Sequence, residues 1–236
     1  EDVGMSVDIM EKVARRTKYV AGLSREADKA GGDPSPKTSF GIFKGIEAAV
    51  RFKLGQDSVD GLRVAVQGVG NVGYHLCRFL HEAGATLVVA DIDAERVRRV
   101  CDEFGAAGVA LDDILSVDVD VMAPCALGAI INERSIPGLK AGIVAGGANN
   151  QLETVKDGAR LHDAGILYAP DYVINGGGII NVASEYYGDA TDDEVWKRIA
   201  DIGPRLTGIF ESSAKADKPT NVVADEMARK LIADAA

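Results

Sequence analysis

Three glycines and an aspartate carry the clearest chemistry in the chain. The segment Gln67-Gly68-Val69-Gly70-Asn71-Val72-Gly73 is a complete G-x-G-x-x-G. It follows the apolar run Leu62-Arg63-Val64-Ala65-Val66 and opens a pattern in which Val72, Leu76, Phe79 and Leu80 recur at helical spacing. In a strand–turn–helix unit these glycines give a tight turn, let the backbone approach a pyrophosphate, and let the helix pack closely on the strand. The helix N-terminus adds unpaired N–H groups and a partial positive charge. A second apolar run, Leu87-Val88-Val89-Ala90, ends in Asp91. That acid lies about 20 residues beyond the glycines, where a carboxylate accepts hydrogen bonds from the adenosine ribose of a dinucleotide. The pattern predicts NAD binding by Gly68, Val69, Gly70, Asn71, Val72, Gly73 and Asp91. The competing reading is a turn between buried elements followed by an incidental acid. A carboxylate beside a 2′-phosphate repels it, which favours NAD over NADP. Arg96 and Arg98 lie close by and keep NADP open.

Three later loops carry small residues and amides. They are Pro124-Cys125-Ala126-Leu127-Gly128, Ala145-Gly146-Gly147-Ala148-Asn149-Asn150, and Ala169-Pro170-Asp171-Tyr172-Val173-Ile174-Asn175-Gly176-Gly177-Gly178. Each follows a short apolar run. In a doubly wound sheet, ligands bind beyond the carboxyl ends of the strands. Small residues there let a cofactor reach the backbone, and asparagine amides can hold a carboxamide or an amine. Read without a ligand, the same loops are tight turns with helix caps.

The elements that must position these loops alternate. Strands are expected at 63–67, 86–90, near 108–110, 119–122, 143–146 and 166–168, with helices at 71–83, 94–104 and 155–164 and shorter turns near 112–116 and 132–136. The strands are short, valine-rich and apolar on both faces, as in a parallel sheet covered by helices on both sides. The predicted fold is α/β: a Rossmann-type, doubly wound, mostly parallel sheet with flanking N- and C-terminal helices. Helices are expected from Asp2 to about Thr17, from about Lys37 to Leu54 with Gly55 ending it, and at 176–188, 191–214 and 219–234. Residues 1–55 read as N-terminal helices and a connecting loop, 56–175 as the NAD-binding domain, and 176–236 as helices packing on it.

The chain has 236 residues, 47% of them hydrophobic and 26% charged, the balance of a folded globular protein. Its net charge of −10 argues against non-specific binding to nucleic acid or an anionic membrane. No apolar run reaches the ~18 residues of a membrane helix. Cys77, Cys101 and Cys125 are odd in number and form no C-x-x-C, so reduced thiols and a cytoplasmic location are expected, with no metal. His75 and His81 are expected at the surface of the helix after the glycine loop.

The motifs fall together as a set. Asp2-Val3-Gly4, Gly32-Asp33-Pro34-Ser35-Pro36-x-Thr38, Gly68-x-Gly70-Asn71-Val72, Ala123–Gly128, Gly147-Ala148-x-Asn150-Gln151 and Ala169–Gly178 occur in one order. In that order the chain resembles the amino-acid dehydrogenase superfamily over essentially its whole length. The branch it looks most like is leucine dehydrogenase, with its phenylalanine and valine relatives. The resemblance implies reversible oxidative deamination: an L-amino acid gives its Cα hydride to NAD, the imine takes up water, and ammonia leaves a 2-oxo acid. It also implies a homo-oligomeric full-length protein whose partners are small molecules.

Residue by residue, the resemblance implies that Asp2 binds the substrate amine and relays protons, although Asp2 could equally cap the helix that follows it. Asn175 matches the asparagine near the reacting centre. Thr38 and Asn149 or Asn150 match positions near the nicotinamide ring, and Cys125 and Ala126 fall in a cofactor-contacting loop. Ile179 and Val182 match positions lining the side-chain pocket, where bulky aliphatics favour a branched substrate; the other reading is ordinary helix core. The family's two catalytic lysines belong to an N-terminal domain that this chain is expected to lack. Lys37, next to Thr38, occupies a variable position of its motif. Without that domain, the chain reads as an NAD-binding module with no catalysis of its own.

Overall fold

The computed structural model describes residues 5–24 and 29–234. Strands β1 (Arg63–Gln67), β2 (Thr86–Ala90), β3 (Ala107–Gly108), β4 (Val121–Pro124), β5 (Ile143–Val144) and β6 (Leu167–Tyr168) form one six-stranded sheet in the order β3-β2-β1-β4-β5-β6. Every pairing is parallel. The helices are α1 (Val7–Ala14), α2 (Ser35–Leu54), α3 (Asn71–Glu82), α4 (Ala94–Phe104), α5 (Val155–Asp163), α6 (Asp171–Ile174), α7 (Gly177–Tyr187), α8 (Asp192–Ala200), α9 (Ile202–Ala216) and α10 (Thr220–Asp234).

Alternation along the strands builds two cores. Val64, Val66, Leu87, Val89, Val121, Ala123 and Ile143 face one side, where Ile42 and Ile46 of α2, Leu76 and Leu80 of α3, and Leu206 and Phe210 of α9 are buried against them. Ala65, Val88, Ala90, Met122 and Val144 face the other, against Ile114, Ile131, Ile136 and Leu161 of α5. The expected helix cover on both faces is present. Because β1 lies between β2 and β4, the chain winds outward in both directions from it. A crevice therefore opens at the carboxyl ends of β1 and β4, the place where such sheets bind ligands.

Several boundaries differ from the sequence reading. The expected 191–214 helix is two, α8 and α9, with Asp201 closing one and opening the other. Pro204, in the first turn of α9, has no N–H to donate and cannot continue α8. Helix α2 starts at Ser35, with Pro36 in its first turn, where a missing N–H costs nothing. Gly55 closes it at φ 68°. The start of the first helix falls at Ser6, whose side chain accepts from Ile9 N–H. Asp2 lies outside the described residues. The strand near 108–110 is Ala107–Gly108, the 119–122 strand is Val121–Pro124, and β5 ends at Val144. A short helix at Asp171–Ile174 was not expected. His81 is exposed, but His75 is half-buried with its Nδ1 enclosed and, among the described residues, without a hydrogen-bond partner. Burial, aided by the charge of Arg78, holds His75 below the usual imidazole pKa.

Candidate functional site

The glycine loop is fixed by close approach. Gly68 has φ 87°, and its N–H donates to Ala90 at 2.8 Å. A Cβ at Gly68 would lie 2.7 Å from Ala126 N, and one at Gly73 would lie 1.9 Å from the Gly68 carbonyl oxygen. No side chain larger than hydrogen fits at either position, so α3 can pack directly on the turn. Gly70 opens α3, and among the described residues no side chain caps that helix end. Its first-turn N–H groups and the helix dipole suit an anion.

Asp91 leaves the end of β2 and turns onto this loop. Its Oδ2 accepts from Val69 N–H at 2.7 Å and its Oδ1 from Asp93 N–H at 2.9 Å. Each oxygen is thus oriented by the backbone, and a carboxylate has lone pairs beyond these two bonds for ribose hydroxyls. These residues fit a dinucleotide: an open turn of glycines, an uncapped helix end and an anchored acid, in register along one sheet edge.

The β4 and β5 loops pack beside it. Cys125 N–H donates to Gln67 at 2.7 Å, and Ala148 N–H to Pro124 at 2.8 Å. Ala129 N–H donates to Asn150 at 2.7 Å. Both Ala129 (φ 61°) and Asn150 (φ 53°) hold left-handed backbone, a cost of order 1–3 kcal/mol each that surrounding contacts must offset. Burial pushes the Cys125 thiol up to about 11, against an opposing hydrogen bond from Gly147. It is neutral at ordinary pH and serves packing rather than nucleophilic chemistry. Ala126 and Leu127 are exposed on this loop, as is Ile92 beyond Asp91.

The third loop joins them through amides. Asn175 donates from Nδ2 to Asn149 Oδ1 at 2.6 Å and to the Gly147 carbonyl at 3.3 Å. Asp171, buried at the start of α6, accepts from Gln151 N–H at 2.7 Å. Gln151 donates onward to Gly146 and Ala148. Thr38 on α2 bonds its own helix through Pro34, and its Oγ1 would lie 2.7 Å from a Cβ at Gly178. It therefore faces the start of α7. Ser39 donates to the Val72 carbonyl at 2.7 Å, tying α2 to the glycine-loop helix. Val72 itself is half-buried against Gly147. Ile179 is 67% exposed and so is not helix core, whereas Val182 is half-buried.

Sequence reasoning missed the set that holds α7 in place. Lys37 is 4% exposed, with its Nζ 2.6 Å from Asp192 Oδ1 and donating to Asn181 Oδ1 at 2.8 Å. The ring of Trp196 lies 5.9 Å from the same ammonium. Glu185 accepts from Gly22 and Leu23 N–H, which docks the loop before α2 onto α7. A lysine beside Thr38 was visible in the sequence; its partners on α7 and α8 were not, because about 150 residues separate them. An open concavity of about 490 Å³ is lined by Asp112, Leu115, Asn132 and Ser135 and meets the loop cluster at Ala129.

The strand order, the glycine loop at the winding centre and the anchored acid define a Rossmann-type α/β domain. The chain matches the Glutamate/Leucine/Phenylalanine/Valine dehydrogenase family over residues 33–97 and 90–235, and it belongs to that family. It is 49% identical to leucine dehydrogenase of Geobacillus stearothermophilus over 98% of its own length and 63% of the relative's. It is 45% identical to an L-tryptophan dehydrogenase of Nostoc punctiforme over 99% of its length and 64% of that protein's. The crystal structure of L-tryptophan dehydrogenase from Nostoc punctiforme superposes with a TM-score of 0.87 at 42% identity, covering 99% of this chain and 66% of that one. A hetero-hexameric glutamate dehydrogenase from Thermus thermophilus shares the fold at a TM-score of 0.74 and 20% identity, over 94% of this chain and 60% of that one. The chain thus spans less than two thirds of the curated relatives it matches. Among the described residues, no helix is long and apolar enough to cross a membrane.

Proposed function

We propose that this chain is the cofactor-binding part of an NAD-dependent amino-acid dehydrogenase that deaminates a branched aliphatic L-amino acid to its 2-oxo acid. The observation that carries the reading is the convergence of Asp91, the glycine loop and the Asn149–Asn175 pair on one sheet edge at the winding centre. Bound there, the nicotinamide supplies the two-electron acceptor for the Cα hydride. The protein's own task is to bind, orient and exclude water.

In this reading Asp91 receives the adenosine ribose, while Val69, Gly70, Asn71, Val72 and Gly73 receive the pyrophosphate. Cys125 and Ala126 line the passage between the two halves of the cofactor. Thr38, Asn149 and Asn150 border the nicotinamide. The Asn175 Nδ2 is committed to Asn149 and Gly147, which leaves its carbonyl oxygen as the acceptor for a substrate amine. The resemblance gives Asp2 the proton released when that amine becomes an imine, to be passed on as water adds and ammonia leaves. Ile179 and Val182 form one wall of the side-chain pocket. The exposure of Ile179 supports this, since a wall residue keeps a face toward the ligand. The complete protein is a cytoplasmic homo-oligomer.

A second reading concerns the chain alone. Lys37 is engaged by Asp192 and Asn181 and stands in no position to act as general base. The isolated chain then binds NAD without turning over. Assay of the full-length protein with L-leucine, L-valine and L-phenylalanine plus NAD at alkaline pH tests the main reading. Absorbance growth at the reduced-nicotinamide band, with kcat/KM for leucine above that for phenylalanine, is expected. Failure of all three amino acids to reduce NAD would overturn it.

A further inference from the structure

A cleft of about 220 Å³ lies beside the glycine loop, lined by Val69, Gly70, Asn71, Tyr74, His75, Arg96 and Arg99. Two guanidiniums face it from α4, and they are held differently. Arg99 stacks over the Tyr74 ring, 3.8 Å from the centroid, and bonds Glu103 at 3.0 Å. Its charge is matched by that carboxylate. Arg96 sits in the first turn of α4, and its Nε lies 3.3 Å from Asp93 Oδ2. Asp93 also caps α4, accepting from Glu95 and Arg96 N–H through Oδ1, so the same acid fixes both the helix start and the arginine. The far end of Arg96 reaches the loop: a Cβ at Gly70 would stand 3.5 Å from its Nη1. Arg98, the other arginine near Asp91 in sequence, instead bonds Glu95 at 3.0 Å and does not line the cleft.

Gly70 is the glycine whose missing side chain lets a pyrophosphate approach the backbone. The loop and the end of α3 offer that dianion N–H dipoles. The Arg96 guanidinium, its Nε held by Asp93, keeps Nη1 close to Gly70 and so adds positive charge and N–H donors suited to phosphate oxygens. We infer that Arg96 is a cofactor-binding residue that closes over the pyrophosphate from beside the glycine loop. This rests on the dinucleotide reading above. The side chain of Arg96 is 55% exposed, so its removal leaves the core untouched.

Calorimetric titration of the chain with NADH, ADP-ribose and adenosine separates the two claims. The parent and the variants Arg96→Ala, Arg96→Lys and Arg98→Ala are compared. Arg96→Ala is expected to weaken NADH and ADP-ribose about tenfold. Adenosine, which has no phosphate, keeps its affinity. Arg96→Lys recovers part of the loss, and Arg98→Ala matches the parent. Unchanged ADP-ribose affinity in folded Arg96→Ala, or an equal loss for adenosine, would overturn the role of Arg96 and leave the dinucleotide site standing. A parent that binds neither NADH nor ADP-ribose would overturn both.

Discussion

Asp91 does two jobs with one carboxylate. It holds Val69 and Asp93 by their N–H groups, and in the proposed function it also receives the ribose. Asp91→Ala is therefore expected to cost more than the ribose bonds of ~1.5–3 kcal/mol, because the loop loses an anchor as well. Calorimetry with NADH reads the first effect, and thermal denaturation of the unliganded chain reads the second. Ile179 makes the opposite prediction. At 67% exposure, Ile179→Ala should change stability by no more than about 0.5 kcal/mol. In the full-length enzyme it should move the leucine-to-phenylalanine ratio of kcat/KM toward phenylalanine, within the ~1–3 kcal/mol that a few methylenes can discriminate. An unmoved ratio would remove it from the pocket wall. Asp91 was legible as a residue because its distance from the glycines is set by one helix and one strand. Its hold on Val69 N–H was not, since backbone donors carry no signature in the sequence. The same holds for Lys37, whose sequence neighbours say nothing of Asn181 or Asp192.

Helix ends set the geometry of the site and can be tested one at a time. At α3 a Cβ on Gly73 would meet the Gly68 carbonyl at 1.9 Å. Gly73→Ala must push the helix off the turn, and overpacking of this kind costs roughly 1–3 kcal/mol. Urea denaturation should show that loss together with weakened NADH binding. At α5, Thr154 and Asp157 form a reciprocal cap, and Arg160 bonds the same carboxylate at 2.8 Å. Burial alone would raise the Asp157 pKa; the bonds from Thr154 and Arg160 outweigh it and hold the carboxyl below the usual range. A carboxylate depressed in the folded state binds fewer protons there than in the unfolded chain. Its contribution is full above the unfolded value of about 3.9 and is lost as pH falls through the folded value. Asp157→Asn should cost about 1 kcal/mol near neutrality. The gap between parent and variant should narrow below about pH 4. A gap that widens in acid would refute the sign. Most elements were legible from apolar periodicity, β1 and β2 to the residue. The break at Asp201 was misread because the apolar period of α8 runs on in sequence across it, while Pro204 denies α8 the backbone bond it needs to continue.

At the scale of the molecule, parallel strands need crossover connections, here α-helices and short 3-10 turns, and these run overwhelmingly in one hand. Alternating short apolar runs and helical runs therefore indicated a doubly wound sheet. The order outward from β1 turns that sheet into a site, since it alone leaves a crevice beside the glycine loop. What the sequence left open is which loops touch. Gly68 meeting Ala126, and Asn175 meeting Asn149, are contacts between segments about 25 to 60 residues apart, fixed by the sheet rather than by any local motif. The central claim is that this assembled edge binds a dinucleotide. Its most direct test is a calorimetric titration of the chain with NADH, alongside Asp91→Ala. One saturable site per chain, weakened in the variant, is the predicted result. A folded chain that shows no saturable binding at millimolar NADH would contradict it.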